Sequence, residues 1–258
     1  MRRHLMTLVA SLGLAGAVPA LAQGDQRPVI ILVHGAFAGS SSWAGVIIRL
    51  EKSGYRVIAA ANGLRSVKDD AAPISALVHS IPGPVVLVGH SYGGPVITAA
   101  AEGNHNVKAL VYVSAFAPDV GESALELSSR FPGSTLGETL SSVPLPDGGE
   151  DLYVRSERFH QQFAGDVSDE TAATMAATQR PVTKAALSEP TRTAGWKTIP
   201  NYAIYGTADR NIPPAALRFM AARSHSRKTV VVPGASHSVM VSHPAEVDAL
   251  IETAAAER

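Results

Sequence analysis

The chain has 258 residues, of which 46% are hydrophobic and 17% charged, so it is long enough and apolar enough for a sizeable core and is not an intrinsically disordered protein. Its 22 Lys and Arg residues balance 22 Asp and Glu residues, which excludes an overall basic field that would attract nucleic acid or anionic lipid. The absence of cysteine excludes disulfides, a thiolate nucleophile and Cys-ligated metals.

The N-terminus has the pattern of an export signal. Two arginines precede an apolar run over residues 5–18, and an Ala-Leu-Ala sequence ends the segment at 20–22. This pattern predicts a signal peptide over residues 1–22 that is cleaved before Gln23. An uncleaved membrane anchor is the alternative, but the run is shorter than the roughly 20 apolar residues that a membrane span needs. We therefore expect an exported protein, periplasmic or secreted, which is not held in a membrane after cleavage.

From Pro28 onward, aliphatic runs alternate with helical segments. Strands are predicted at 29–33, 56–59, 85–88, 107–113, 202–205 and 229–232, and helices at 41–52, 68–80, 92–102, 214–223 and 244–256. This alternation is typical of a mostly parallel sheet that is flanked by helices, and it predicts one α/β domain over residues 23–258. The alternation stops between about 119 and 197, where no strong aliphatic strand is found, and we interpret this segment as an inserted cap.

One local motif indicates a nucleophile. The sequence Gly89-His90-Ser91-Tyr92-Gly93 directly follows the predicted strand 85–88 and leads into the predicted helix 92–102. A serine on such a tight turn projects from the carboxyl edge of the sheet, and the flanking glycines allow the turn to close. The N-terminus of the following helix offers N–H groups and a favourable dipole where negative charge develops. The motif therefore predicts Ser91 as a nucleophile.

A serine hydroxyl needs a base, for which histidine is the usual residue. In folds with this turn, the carboxylate and then the histidine follow the serine in sequence. His237 lies in the loop after the predicted strand 229–232, where it can reach the carboxyl edge of the sheet. His243 at the start of the last helix, and His225 among polar residues before the last strand, are the alternatives.

The orienting carboxylate should also follow a strand. Asp209 does so after the predicted strand 202–205, and there it would fix the imidazole tautomer and stabilise the imidazolium. Asp119, which comes after the predicted strand 107–113, is the alternative carboxylate. Its position beside Pro118 also fits a solvated turn or a helix cap.

The loop that follows the first strand can complete the site. One donor of an oxyanion hole is the backbone N–H of the residue after the nucleophile, here Tyr92, and the other comes from the first loop. We predict Ala36 as that second donor, with Phe37 as the alternative. Removal of one such donor typically lowers turnover about a hundredfold to a thousandfold. We expect His34 to hydrogen-bond and hold this loop, rather than to act as a ligand or a second base.

These residues together resemble the α/β-hydrolase superfamily, and within it the plant methylesterase and hydroxynitrile lyase branch with its bacterial esterase relatives. The matching motifs, in chain order, are Leu32-Val33-His34-Gly35-Ala36 followed by Trp43, Gly89-His90-Ser91-Tyr92-Gly93-Gly94, Ser114-Ala115-Phe116-Ala117-Pro118-Asp119, Asp209 to Pro213, and Gly234-Ala235-Ser236-His237. They extend over about residues 29–245, and the cap matches only loosely.

The resemblance implies ester hydrolysis by a Ser91, Asp209 and His237 triad without a cofactor. Lyase members of the branch carry threonine where this chain has Gly35, and lysine directly after the catalytic histidine, where this chain has Ser238. Without that cation to stabilise a leaving cyanide, lyase chemistry is not expected. The signal peptide is a departure from the plant enzymes, so their substrates do not transfer to this chain.

We therefore expect an enzyme that cleaves carboxylic esters of small, largely uncharged molecules through an acyl-enzyme on Ser91. Lactone or amide hydrolysis, and a non-catalytic ligand-binding protein on the same scaffold, are the alternatives. The oligomeric state leaves no signal in the sequence, and neither a metal nor a nucleic-acid partner is expected. An apolar wall for the substrate could come from aromatic residues that also fit core packing: Phe116, Phe131, Tyr153, Phe159, Phe163 and Trp196.

Overall fold

The computed structural model describes residues 27–146 and 148–257, so the predicted signal peptide lies outside the described residues. These residues form the strands β1 (Val29–Val33), β2 (Val57–Ala60), β3 (Val85–His90), β4 (Val107–Val113), β5 (Leu140–Pro144), β6 (Glu150–Val154), β7 (Val182–Thr183), β8 (Asn201–Gly206) and β9 (Lys228–Val232). Six of them pair in the order β2-β1-β3-β4-β8-β9, and every pairing is parallel. The predicted α/β class with a mostly parallel sheet is confirmed.

Helices connect these strands and cover both faces of the sheet. The α-helices are α1 (Ala44–Lys52), α2 (Val67–His79), α3 (Gly93–Ala100), α4 (Ala124–Ser129), α5 (Ser156–Phe163), α6 (Asp169–Ala177), α7 (Lys184–Ser188), α8 (Pro214–Arg223), α9 (Val239–Ser242) and α10 (Pro244–Ala256). Short 3-10 segments lie at Ser40–Trp43, Leu136–Thr139 and Gly195–Lys197. Within the described part of the chain, we find no helix with the length and apolar character needed to cross a membrane.

The continuous aliphatic strands are buried on both sides. In β1, Ile30 and Leu32 pack into a core with α1, α9 and α10, whereas Ile31 and Val33 pack into a second core with α2, α3 and α8. All four side chains are fully buried. Because both faces of the strand are buried, the run has no alternation of polar and apolar residues. Burial of each such side chain contributes about 1.5–3 kcal/mol.

The segment 119–197, which we call the cap, lies between β4 and β8 in the chain. It contains α4 to α7 and a three-stranded antiparallel sheet in the order β5-β6-β7. The sequence predicted no strand here, because these strands lack an aliphatic run. β5 is largely exposed, with 47% of Val143 accessible to solvent, so its stability comes from ladder pairing with β6 rather than from burial.

Element boundaries differ from the prediction mainly at turns. The predicted helix 41–52 is a 3-10 turn followed by α1, because the N–H of Ser42 bonds to the carbonyl of Gly39 three residues earlier. The predicted helix from Tyr92 begins at Gly93 instead, since Ser91 and Tyr92 form the turn that precedes it. The last helix has the predicted bounds, Pro244 to Ala256.

Candidate active site

The turn that carries Ser91 is strained and can close only on glycines. Ser91 follows β3 and has φ +53°, a left-handed conformation that a non-glycine residue rarely adopts. A Cβ on Gly89 would lie 2.5 Å from the carbonyl oxygen of Gly93, and a Cβ on Gly93 would lie 2.5 Å from that of Val33. The turn therefore needs glycine at both positions, as the motif predicted. It leaves Ser91 at the carboxyl edge of the sheet, only 7% exposed.

Asp209 and His237 form a buried pair at the same edge of the sheet. Asp209 follows β8, His237 follows β9, and Nδ1 of His237 lies 2.7 Å from Oδ2 of Asp209. The second oxygen, Oδ1, accepts hydrogen bonds from the backbone N–H groups of Asn211 and Ile212 at 2.8 and 2.9 Å. Because the carboxylate accepts from Nδ1–H, the neutral imidazole presents Nε2 as a proton acceptor. Nε2 is buried and has no hydrogen-bond partner among the described residues.

His90 joins the base to the nucleophile turn. Its Nε2 donates to the carbonyl oxygen of His237 at 3.1 Å, and the two imidazole rings lie 4.7 Å apart between centroids. Burial first, and then the neighbouring His237, hold the pKa of His90 well below its usual range, so the ring is neutral. The sequence analysis assigned no role to His90. It positions the loop of His237 against the residue that directly precedes Ser91.

Two unpaired backbone donors flank the serine. Neither the N–H of Ala36 nor that of Tyr92 has a hydrogen-bond partner in the described residues. The phenol of Tyr92 donates to Oδ2 of Asp70 at 2.8 Å, which fixes the residue that carries one of these donors. Burial raises the pKa of the Tyr92 phenol and of the Asp70 carboxyl. The two N–H groups named as oxyanion donors are thus both available.

The alternative donor and His34 have other hydrogen-bond partners. The N–H of Phe37, the alternative donor, bonds to the carbonyl of Arg180 in the cap at 3.0 Å, so it is not available to an oxyanion. Nδ1 of His34 lies 2.9 Å from the carbonyl of Gly35, and its Nε2 accepts from the N–H of Asn62 at 3.1 Å. Burial lowers the pKa of His34 to about 4. A neutral His34 therefore holds the loop.

The alternative residues lie away from this cluster. The carboxylate of Asp119 forms an ion pair with Lys197 at 2.5 Å and accepts from the N–H of Val120 at 2.7 Å. This partly exposed arrangement agrees with a solvated turn, the alternative role given to Asp119 from the sequence. His243 is the N-cap residue of α10 and lies 2.8 Å from the hydroxyl of Ser242, and His225 is exposed just after α8. In the parts of the chain that the structure describes, no group of three His, Cys, Asp or Glu side chains could hold a metal ion.

Comparison with known proteins agrees with this arrangement. Residues 30–250 match the alpha/beta hydrolase family. The chain belongs to this family. The resemblance that the motifs indicated is confirmed, because the match extends from β1 into α10.

Similar proteins come from the expected branch. The chain is 27% identical over 242 residues to an alpha-hydroxynitrile lyase of Arabidopsis thaliana, covering 85% of this chain and 94% of that protein. It is 26% identical over 255 residues to methylesterase 3 of the same plant, covering 90% and 97%. The crystal structure of polyneuridine aldehyde esterase superposes with a TM-score of 0.77 at 22% identity, covering 88% of this hydrolase and 99% of that chain.

Two positions separate this hydrolase from the lyase pattern. A Cβ on Gly35 would lie 2.6 Å from Cβ of Ser91 and 2.7 Å from the carbonyl oxygen of His90, so the loop has no room for a threonine there. Ser238 is fully buried, and its hydroxyl donates to the carbonyl oxygen of Phe163 at 3.0 Å. Neither position offers the group that lyase members use.

The cap closes over the hydrolase site through Phe163. Its ring meets the ring of His237 edge-on at 5.0 Å, and it also contacts the rings of His90 and Phe37 at 6.2 Å each. Among the six aromatic residues that the sequence suggested, this is the one that contacts the ring of His237. Spacing could not select it, because Phe159 lies one helical turn earlier on the same buried face of α5.

Proposed function

We propose that this hydrolase is a serine esterase that cleaves carboxylic esters of small, largely uncharged molecules through an acyl-enzyme on Ser91. One observation carries the proposal. The 2.7 Å Asp209–His237 pair is buried beside a strained serine turn that has two unpaired N–H groups. A structural turn has no need for a buried, unpartnered imidazole nitrogen next to free backbone donors, whereas acyl transfer uses each of these groups.

In the first half of the reaction, Oγ of Ser91 attacks the ester carbonyl carbon while Nε2 of His237 takes the hydroxyl proton. The carbonyl electron pair moves onto oxygen, and the N–H groups of Ala36 and Tyr92 donate to the resulting oxyanion. When the tetrahedral intermediate collapses, the C–O bond to the alcohol breaks. The imidazolium returns its proton to the leaving alkoxide, and the acyl group stays on Ser91.

The second half repeats these steps with water as the nucleophile. His237 takes a proton from water, hydroxide adds to the acyl carbon, and the carboxylic acid leaves as Ser91 regains its proton. Asp209 holds the imidazole in the required tautomer and stabilises the imidazolium in both halves. The contact of Phe163 with the ring of His237 keeps bulk water from the base.

The surroundings of the site favour small neutral esters. Ala36, Phe37 and Phe163 are all buried, so an acyl or alcohol group near Ser91 meets apolar walls. The balanced charge of the chain gives no long-range attraction for a charged substrate. Relatives named as methylesterases support an ester as the bond that is cleaved. One relative is named as an alpha-hydroxynitrile lyase, but positions 35 and 238 lack the threonine and lysine of the lyase pattern, so cyanohydrin cleavage is not proposed.

Export is a separate part of the proposal. It rests on the basic, apolar and Ala-Leu-Ala pattern of residues 1–22. N-terminal sequencing of the protein recovered from the periplasm or the medium would begin at Gln23. A chain that is found only in the cytoplasm with an intact N-terminus would contradict it.

The deciding experiment is hydrolysis of short p-nitrophenyl esters by the protein without residues 1–22, with Ser91→Ala beside it. Loss of the nucleophile should lower kcat by about a million-fold. Ser114→Ala is the matched control, since Ser114 is also buried, also directly follows a strand and also has a positive φ, of 41°. Equal activity of Ser91→Ala and wild type would overturn the nucleophile. A folded wild type that hydrolyses no ester or lactone would favour a ligand-binding protein.

A further inference from the structure

A buried amide of the cap contacts the loop that follows Asp209. Gln162 lies in the last turn of α5 and is only 4% exposed. Its Nε2 donates to the carbonyl oxygen of Arg210 at 2.9 Å and to Oδ1 of Asn211 at 2.8 Å. Its Oε1 accepts from the hydroxyl of Thr135 at 2.8 Å. The amide nitrogen therefore joins the cap to residues 210 and 211, while Thr135 of the cap holds the amide oxygen.

The conformation of residues 210–212 decides how Asp209 presents its carboxylate. The N–H groups of Asn211 and Ile212 both donate to Oδ1, which leaves Oδ2 to face Nδ1 of His237. A rotation of this short loop would withdraw both N–H groups from Oδ1. The carboxylate could then turn away from the imidazole. Contacts that hold Arg210 and Asn211 in place thus also hold the bond between Asp209 and His237.

The packing of α5 gives no other reason for an amide at this position. Its buried face consists of Phe159, Gln162 and Phe163, so an apolar residue would fit the helix pattern between the two aromatic rings. A buried amide is tolerated only when its donors and acceptor are satisfied, and here the partners come from the acid loop and from the cap. The structure thus links this polar residue to the geometry of Asp209.

The next residue of α5 holds the other half of the pair. The carbonyl oxygen of Phe163 accepts from the hydroxyl of Ser238, directly after His237, and its ring packs on the imidazole. Consecutive residues of one helical turn therefore contact the loop of Asp209 and the loop of His237. Packing of this helical turn against the two loops therefore fixes the position of each loop relative to the other.

We propose that Gln162 is a positioning residue for the catalytic pair, which holds the loop after Asp209 so that Oδ2 faces His237. The inference rests on the proposed function for the roles of Asp209 and His237. Gln162 acts through hydrogen bonds to residues 210 and 211 and does not contact the reacting atoms. Its loss should therefore lower turnover without weakening substrate binding.

The test replaces Gln162 with methionine, which has a similar length but makes none of the three hydrogen bonds. We expect Gln162→Met to lower kcat on a p-nitrophenyl ester about 10- to 100-fold, the scale of an ångström-sized misplacement, while KM stays within about twofold. Gln161→Met is the matched control, because it makes the same change at the adjacent, exposed position of α5. It should keep wild-type kcat and KM.

A second measurement does not depend on turnover. The Nδ1 proton of His237, held by Asp209 at 2.7 Å, should give a downfield proton NMR signal in the resting wild type and in Gln161→Met. In Gln162→Met this signal should broaden or move upfield. An unchanged signal with unchanged kcat would overturn the positioning role, as would a loss confined to KM.

The same measurements separate failure of this inference from failure of the proposed function. If wild type hydrolyses no ester but the His237 signal still differs between wild type and Gln162→Met, the esterase proposal fails and the positioning role stands.

A second variant tests the role if Gln162→Met does not fold. Thr135→Val removes only the hydroxyl that bonds to Oε1 of Gln162. It should lower kcat about 2- to 10-fold at constant KM. Wild-type kcat and NMR signal in Thr135→Val would then overturn the role.

Discussion

The parallel sheet and the cap differ in how deeply their strands are buried. All six residues of β3 and all five of β1 are buried, and aliphatic side chains fill the space on both faces. In the cap, β5 is mostly exposed, β7 has two residues, and α7 has five. The cap packs buried side chains such as Phe159 and Trp196 into the same core as α2, α3 and α8. It also meets the catalytic loops through hydrogen bonds, such as those of Gln162, Ser238 and the carbonyl of Arg180.

This difference suggests that the sheet edge holds the groups for catalysis, whereas the cap aligns them and shapes the site. The residues that we assign to chemistry follow strands whose positions are set by extensive apolar burial, so their backbones are fixed before a substrate arrives. The hydrogen bonds between the cap and the catalytic loops each contribute about 0.5–1.5 kcal/mol, so the loss of one should disturb the alignment of a loop without unfolding the cap. We therefore expect substitutions at the sheet edge to abolish chemistry or stability. Those in the cap should alter fit and alignment.

The largest effect should follow from Asp209→Asn. It keeps the shape of the side chain but removes the charge that orients His237, and kcat should fall by about ten-thousandfold. Asp119→Asn is the control at the start of the cap, where a partly exposed ion pair with Lys197 is lost and kcat should stay within about twofold. Steady-state kinetics of both variants tests the comparison. A severe loss in Asp119→Asn with full activity in Asp209→Asn would reverse the assignment.

The pH dependence of stability should come from the sheet edge. Burial lowers the pKa of His34 to about 4 in the folded protein, against 6.5 as the ordinary value. Between these two pH values the unfolded chain binds a proton that the folded one excludes. The free energy of unfolding should therefore fall as the pH is lowered from about 6.5 to 4, by up to about 3 kcal/mol, and His90 acts in the same direction.

Urea unfolding at pH 7 and pH 4.5 measures this loss. In His34→Gln the group that titrates is gone, so the difference in unfolding free energy between the two pH values should be smaller. An equal pH dependence in both proteins would show that His34 is not the cause.

A matched pair of valines compares the two sheets directly. Val88 in β3 is fully buried, whereas Val143 in β5 is 47% exposed. Val88→Ala should lower the free energy of unfolding by about 2 kcal/mol, from lost burial and a residual cavity. Val143→Ala should change it by less than about 0.5 kcal/mol. Chemical denaturation gives both values, and similar losses would mean that the cap is packed as tightly as the main sheet.

A smaller effect than that of Val88→Ala should come from Ser238→Ala, which removes one hydrogen bond between the cap and the loop of His237. The carbonyl of Phe163 loses its partner, so stability should fall by about 1 kcal/mol, while kcat on a small ester changes only a few-fold. Limited proteolysis should cut the cap faster in this variant. Ser80→Ala is the control, since that hydroxyl bonds to the carbonyl of Leu77 at the end of α2, outside the cap. Unchanged cleavage rates would show that this bond does not restrain the cap.

The sequence by itself determined the elements whose geometry is local. The serine turn needs its strand, glycines and helix within a few residues, and the aliphatic runs needed no partner to be recognised as buried strands. Those features led to the α/β class, to Ser91, and to Asp209 and His237 as carboxylate and base candidates after later strands. The residues between β4 and β8 gave no such signal, since their half-exposed antiparallel strands lack an aliphatic or alternating pattern.

Only the tertiary structure decided which side chains meet across the chain. Asp209 and His237 are 28 residues apart, Gln162 and Asn211 are 49 apart, and His90 and the carbonyl of His237 are 147 apart. Contacts at such separations depend on how the cap and the strand ends come together, which no short pattern encodes. For the same reason the sequence could not show that the N–H of Phe37 is taken by Arg180, or that Phe163 rather than Phe159 reaches the imidazole.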